Sequence, residues 1–89
     1  MDKFNAIPSE QAGILITALR ENKNITIRYL DLEVRLVPQK NIEHCTMLFR
    51  HLGQDKSGMV TLKELDALAV VCALFEGLQC TIWVEEKND

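Results

Sequence analysis

Two histidines and a cysteine fall in one short stretch, His44-Cys45 and His51. These residue types bind transition metals or, suitably paired, make a thiolate nucleophile. Their spacing argues against both. Adjacent residues on a helix point about 100° apart, so His44 and Cys45 do not converge on one ion. Cys45 also belongs to an apolar stripe, where a free cysteine behaves as a small hydrophobe. Cys72 and Cys80 read the same way, as core residues of a helix and a strand. The acids Glu10, Asp31, Glu33, Asp66 and Glu76 are scattered as on a solvated surface, and Arg28, Arg35, Arg50 and Lys56 are spaced among them. No phosphate-cradling glycine loop, Ser/His/Asp set or HExxH zinc helix occurs. The expectation is a non-catalytic chain without a cofactor.

The totals narrow the class. Eighty-nine residues leave room for a single domain, 1–89, with one modest core. A net charge of −3 argues against a dedicated nucleic-acid binder, which usually shows a basic stripe. Three cysteines without a CxxC pair make a disulfide framework a poor fit and favour a reducing compartment, so a cytoplasmic location is expected. Residues 1–8 hold no apolar signal-like core, and no run approaches the roughly 20 apolar residues of a membrane span.

The element that must organise the rest is Thr61–Phe75. Thr61 three residues before Glu64 makes a capping box, and every residue from Ala67 to Phe75 is apolar. A helix resting on one side of a core keeps a polar face; this one does not, so a second surface should cover it. Around it, Pro8-Ser9-Glu10 opens a helix with Ile14, Leu15, Ala18 and Leu19 as its stripe, after a loose arm at 1–7. Ile25 to Val37 alternates with period two, with a phase flip between Tyr29 and Leu30 that marks a bulge or a bend between two strands; a helical reading of this stretch strands Leu32 and Leu36 on the polar side. Asn41 caps a helix to Leu52 with Ile42, Cys45, Leu48, Phe49 and Leu52 buried. Gly77 closes the central helix, and Leu78, Cys80, Ile82 and Val84 alternate with polar residues in a final strand. The fold expected is α+β: three helices, 8–21, 41–52 and 61–76, on a small antiparallel sheet from 25–37 and 78–85.

The segment from Cys45 to Ala69 resembles an EF-hand. Cys45, Phe49 and Leu52 sit where the entering helix carries its apolar residues, and Gly53 to Glu64 lies on the twelve-residue loop. The resemblance implies Ca²⁺ ligands at Asp55, Ser57, Met59 (through its carbonyl), Thr61 and Glu64, with Gly58 at the sharp turn. Gly53 stands where the family has an aspartate, so it implies weak Ca²⁺ binding at most. Ile25–Asp31 echoes Val60–Asp66, which gives the alternative of a mainly α chain, a degenerate pair of hands with 27–37 helical. A helix, a polar turn and a capped helix explain the same residues without metal.

Trp83 faces away from Cys80, Ile82 and Val84 on the last strand, and aromatics so placed are favoured interface anchors. Together with the apolar helix this points to a small regulatory protein that binds another protein, or a second copy of itself as a homodimer, through Val70, Val71, Leu74 and Trp83.

Overall fold

The computed structural model describes residues 2–40 and 43–87. In chain order the elements are β1 (Asp2–Ala6), a 3-10 turn (Pro8–Gln11), α1 (Ala12–Arg20), β2 (Lys23–Tyr29), β3 (Leu32–Pro38), β4 (His44–His51), β5 (Lys56–Lys63), α2 (Glu64–Leu74) and β6 (Cys80–Glu86). All six strands form one sheet in the order β1-β6-β2-β3-β4-β5, every neighbouring pair antiparallel. The last strand is inserted between the first two, so both ends of the described chain meet in the sheet.

Alternation decides which side each residue takes. Ile25 and Ile27 of β2, Val34 and Leu36 of β3, Cys45 and Met47 of β4, and Cys80, Ile82 and Val84 of β6 all point to one face. Against them pack Leu15, Ala18 and Leu19 of α1, Ala67, Leu68 and Val71 of α2, and Phe75 just beyond it. Each large side chain removed from water here contributes about 1.5–3 kcal/mol. The helices occupy this face only. The other face has no second layer among the described residues.

The antiparallel sheet, the helix over 8–21 and the strand near 78–85 are present. The three-helix arrangement on a two-part sheet is not, and neither is the mainly α alternative. Residues 44–51, expected inside a helix 41–52, form β4. Asn41 and Ile42, the expected cap and first stripe residue, lie outside the described residues. The segment His44-Cys-Thr-Met-Leu-Phe-Arg-His fits both periods: Cys45, Leu48 and Phe49 suit a helix, while Cys45, Met47 and Phe49 suit a strand. Eight backbone pairs with β5 and seven with β3 settle it in favour of the strand.

The expected loose arm is likewise ordered as β1, paired with β6 from Asp2↔Val84 to Ala6↔Cys80. The phase flip at Tyr29–Leu30 is the turn of a hairpin, with Leu30 at φ 54 and Leu32 paired back to Tyr29. No capping box forms. Thr61 lies within β5, α2 begins at Glu64, and its N-cap Lys63 makes no side-chain cap bond. Glu64 instead sits buried at the helix start, where its carboxylate meets the positive dipole end and lies 3.8 Å from the Arg20 guanidinium. The central helix is shorter than expected, ending at Leu74, with Gly77 at φ +72 turning the chain toward β6.

Candidate binding face

The register of the strands assembles the uncovered face into rows. One row runs Asn5, Thr81, Arg28, Glu33, Arg50, Ser57 across all six strands. The next runs Lys3, Trp83, Thr26, Arg35, Leu48, Met59. Residues far apart in sequence thus stand about 4.5–5.5 Å apart, the reach of cross-strand side chains. A groove of about 730 Å³ lies over them, lined among others by Arg28, Glu33, Arg35, Leu48, Met59 and Trp83.

Charge on this face is arranged around Glu33. Its side chain is buried, with Arg28 Nη2 at 3.3 Å from one carboxylate oxygen and Arg50 Nη1 at 3.5 Å from the other. Both arginines remain partly open to solvent, so the pairing holds Glu33 without neutralising the groove. Arg28 also lies over the Trp83 ring at 5.6 Å from its centroid, and Lys3 Nζ at 5.5 Å. Such contacts are worth about 0.5–1 kcal/mol each when exposed. Arg35 stands apart: its Nε is buried with no hydrogen-bond partner, and among the described residues no carboxylate pairs with it. Lys3, Arg28, Arg35 and Arg50 face Glu33 and Glu85, so the rows carry net positive charge on a chain whose total is −3. With Trp83, Leu48 and Met59 supplying apolar area between them, the surface is suited to an anionic partner that also brings apolar side chains.

The residues expected as Ca²⁺ ligands do not come together. Asp55 occupies the β4–β5 turn at φ 50; Ser57, Met59 and Thr61 are spaced along extended β5 on the open face; Glu64 has crossed to the helix side. Alternate residues of a strand stand almost 7 Å apart, too far for one ion to gather them. Gly53 stands where two turns meet, beside an Asp31 side chain that is half exposed and free to move. A Cβ there would lie 2.6 Å from Asp31 Oδ2, because the β4–β5 turn packs against the β2–β3 turn, with Leu52 N–H donating to the Asp31 carbonyl at 2.8 Å. Among the described residues no group of three or more His, Cys, Asp and Glu side chains is placed to hold a metal. His44 and His51 lie at opposite ends of β4, and His51 Nε2 is 3.8 Å from Asp31 Oδ2.

The three thiols are free. Burial, with the Glu64 carboxylate adding to it, pushes the Cys45 thiol up to about 11, and burial raises Cys72 and Cys80 as well. All three are therefore protonated at neutral pH and poor nucleophiles.

Of the residues expected to make contacts, Trp83 is on the open face, half-buried beneath its cations. Val70 and Leu74 are 36% and 43% exposed on one flank of α2, and Leu65, 65% exposed, is on the opposite flank. Val71 points inward and is completely enclosed by its own chain. Sequence reasoning missed Arg28, Arg35 and Arg50 as a group. The alternation of Arg28 and Arg35 with apolar residues was a usable signal, but assigning 41–52 to a helix and 1–7 to an arm removed Arg50, Leu48 and Lys3 from the sheet. No helix among the described residues is long and apolar enough to cross a membrane. Compared with protein-family models, curated proteins and solved structures, the chain finds no match in any of the three.

Proposed function

We propose that this is a non-catalytic, cytoplasmic protein-binding module whose contact surface is the open face of its sheet. The observation that carries the reading is the groove in which Arg35 lacks a counter-ion beside Trp83, Leu48 and Met59. A guanidinium with no carboxylate beside it is open to a charge-assisted pair with a carboxylate from a partner. Trp and Arg are also the side chains that most often carry interface energy. The lining of the groove includes Ser57 but neither histidine nor cysteine, so no nucleophile–base pair stands there. The free thiols fit a reducing compartment.

A second reading rests on the outer side of α2. Val70 and Leu74 there would be covered if two copies associated through the helix. Affinity capture from the native cell, run with Trp83→Ala, Arg35→Glu and Val70→Ser/Leu74→Ser variants, separates the two. Partners lost with the first two variants and kept with the third support the open face. Partners kept by Arg35→Glu and lost with the α2 variant would reverse the assignment. A concentration-dependent dimer in sedimentation, abolished by the α2 variant, would establish the helix as a self-association surface.

A further inference from the structure

We propose that an extended, acidic segment of a partner protein adds to the sheet along the outer edge of β5; this deepens the open-face reading and rests on it. The direction of the backbone groups comes from three hydrogen bonds. Glu64 N–H donates to the Glu43 carbonyl at 2.8 Å, which continues the β4–β5 register by one step and makes that pair a hydrogen-bonded one. In an antiparallel ladder bonded pairs alternate, so Lys56, Gly58, Val60 and Leu62 bond inward to β4. Ser57, Met59 and Thr61 turn their N–H and C=O groups outward. Leu52 N–H to Asp31 O and Gln39 N–H to His44 O place the even residues of β4 toward β3 and leave its odd residues for β5, which agrees.

This edge is unusually open. Native edges are blunted by charges, prolines, bulges or shortness. β5 is eight residues long, pairs with β4 without interruption, holds no proline, and carries charge only at its ends, Lys56 and Lys63. Met59 on it is 72% exposed. The other edge, β1, is five residues long and begins Asp2-Lys3. The outward-bonding residues are also those whose side chains lie on the open face. An added strand therefore continues the rows, one residue beyond Ser57, one beyond Met59 and one beyond Thr61.

Charge selects the occupant. Arg50 lies next to Ser57 in its row, and its guanidinium, 60% exposed and 3.5 Å from Glu33, can turn from that pair across the small Ser57 to the added strand. Lys63 flanks the other end, on the same face. A segment with carboxylates at those two places and an apolar residue facing Met59 meets both cations and the exposed methionine. A second copy fits less well, because antiparallel self-pairing through the outward-bonding residues sets Thr61 or Lys63 of one copy opposite Ser57 of the other, where no carboxylate meets Arg50. This is strand addition of the kind in which main-chain bonds supply affinity and alternate side chains supply selectivity.

The test uses the whole chain and the peptide Glu-Thr-Val-Thr-Ile-Thr-Glu, capped at both ends and present at millimolar concentration, with amide hydrogen exchange followed by NMR. Exchange at Ser57, Met59 and Thr61 should slow at least tenfold, while Gly58, Val60 and Leu62 change little. The peptide with lysine in place of both glutamates should give no protection to the native chain and should regain it on Arg50→Glu/Lys63→Glu. Fluorescence of Trp83, the single tryptophan, reads the open face separately. A change in Trp83 emission without protection along β5 would overturn strand addition and leave the open-face reading standing. Silence in both would remove strand addition and weaken that reading with it. Protection that rises with protein concentration alone would assign the edge to a second copy. Protection or quenching by oligouridylate, absent with the peptide, would assign the surface to nucleic acid.

Discussion

The two faces of this sheet are built from the same strands and ask opposite things of neighbouring residues. Ile82 and Trp83 are consecutive. The first is fully enclosed beneath the helices; the second lies across the open face under Lys3 and Arg28. On the covered face, tolerance is set by packing, because a buried methylene has nowhere else to go. On the open face the residues are held by cross-strand charge and most remain partly exposed, so the cost of losing one should be small to the fold. The difference shows that cover by the helices divides here by sequence parity within a strand, not by segment.

The largest expected effect tests the covered side. Ile82→Ala should cost about 2–5 kcal/mol in chemical denaturation, whereas Trp83→Ala one residue away should cost about 1 kcal/mol, chiefly its two cation contacts. Equal losses would mean that Trp83 is part of the core and that the two faces do not differ as described.

Next comes pH. The folded state holds the Cys45 thiol at about 11, above its ordinary 9.0. Below pH 9 the thiol is protonated in both folded and unfolded chains and contributes no pH dependence. Between about 9 and 11 the unfolded chain loses the proton first, so stability should fall as pH rises through that window, with a slope of at most about 1.4 kcal/mol for each pH unit. Cys45→Ala should flatten this part of the profile. An unchanged alkaline slope would locate the effect elsewhere.

A smaller effect is expected where the open face borders on burial. Glu33→Gln leaves Arg28 and Arg50 without their shared carboxylate. The cost should be about 1–2 kcal/mol, below the roughly 3–5 of a fully buried pair, because both arginines reach solvent. The loss should shrink in high salt. A salt-independent loss would make Glu33 a core residue.

The smallest effect concerns the start of α2. Thr61→Ala should change stability by less than about 0.5 kcal/mol, against the ~1 expected if Thr61 capped the helix. A full cap penalty would require α2 to begin earlier than Glu64.

Some of this was legible from the residues alone. Period-two alternation marked strand in 25–37 and 78–84, and the flip at Tyr29–Leu30, open to a bulge or a bend, falls where β2 and β3 part. The 3.6-residue stripe in 8–21 identified α1, whose Leu15, Ala18 and Leu19 are buried, although Ile14 of the same stripe is 54% exposed. The excess apolar surface of α2 was also readable: Val70 and Leu74 do lie outward, even as Val71 turned in. The segment 44–63 was not legible, because a short apolar run satisfies both periods and its turn residues resemble a metal-binding loop.

Local chemistry alone therefore determined where apolar residues recur and which face of each element they mark, since periodicity is a property of the backbone conformation itself. It also determined that Trp83 opposes Ile82. Pairing was decided only by the tertiary structure. Hydrogen bonds between strands distant in sequence made 44–51 a strand, drew 2–6 onto β6, and set the register that brings Arg28, Arg35 and Arg50 together. Backbone groups must find partners somewhere, and which partner satisfies them is not written in any window of the chain.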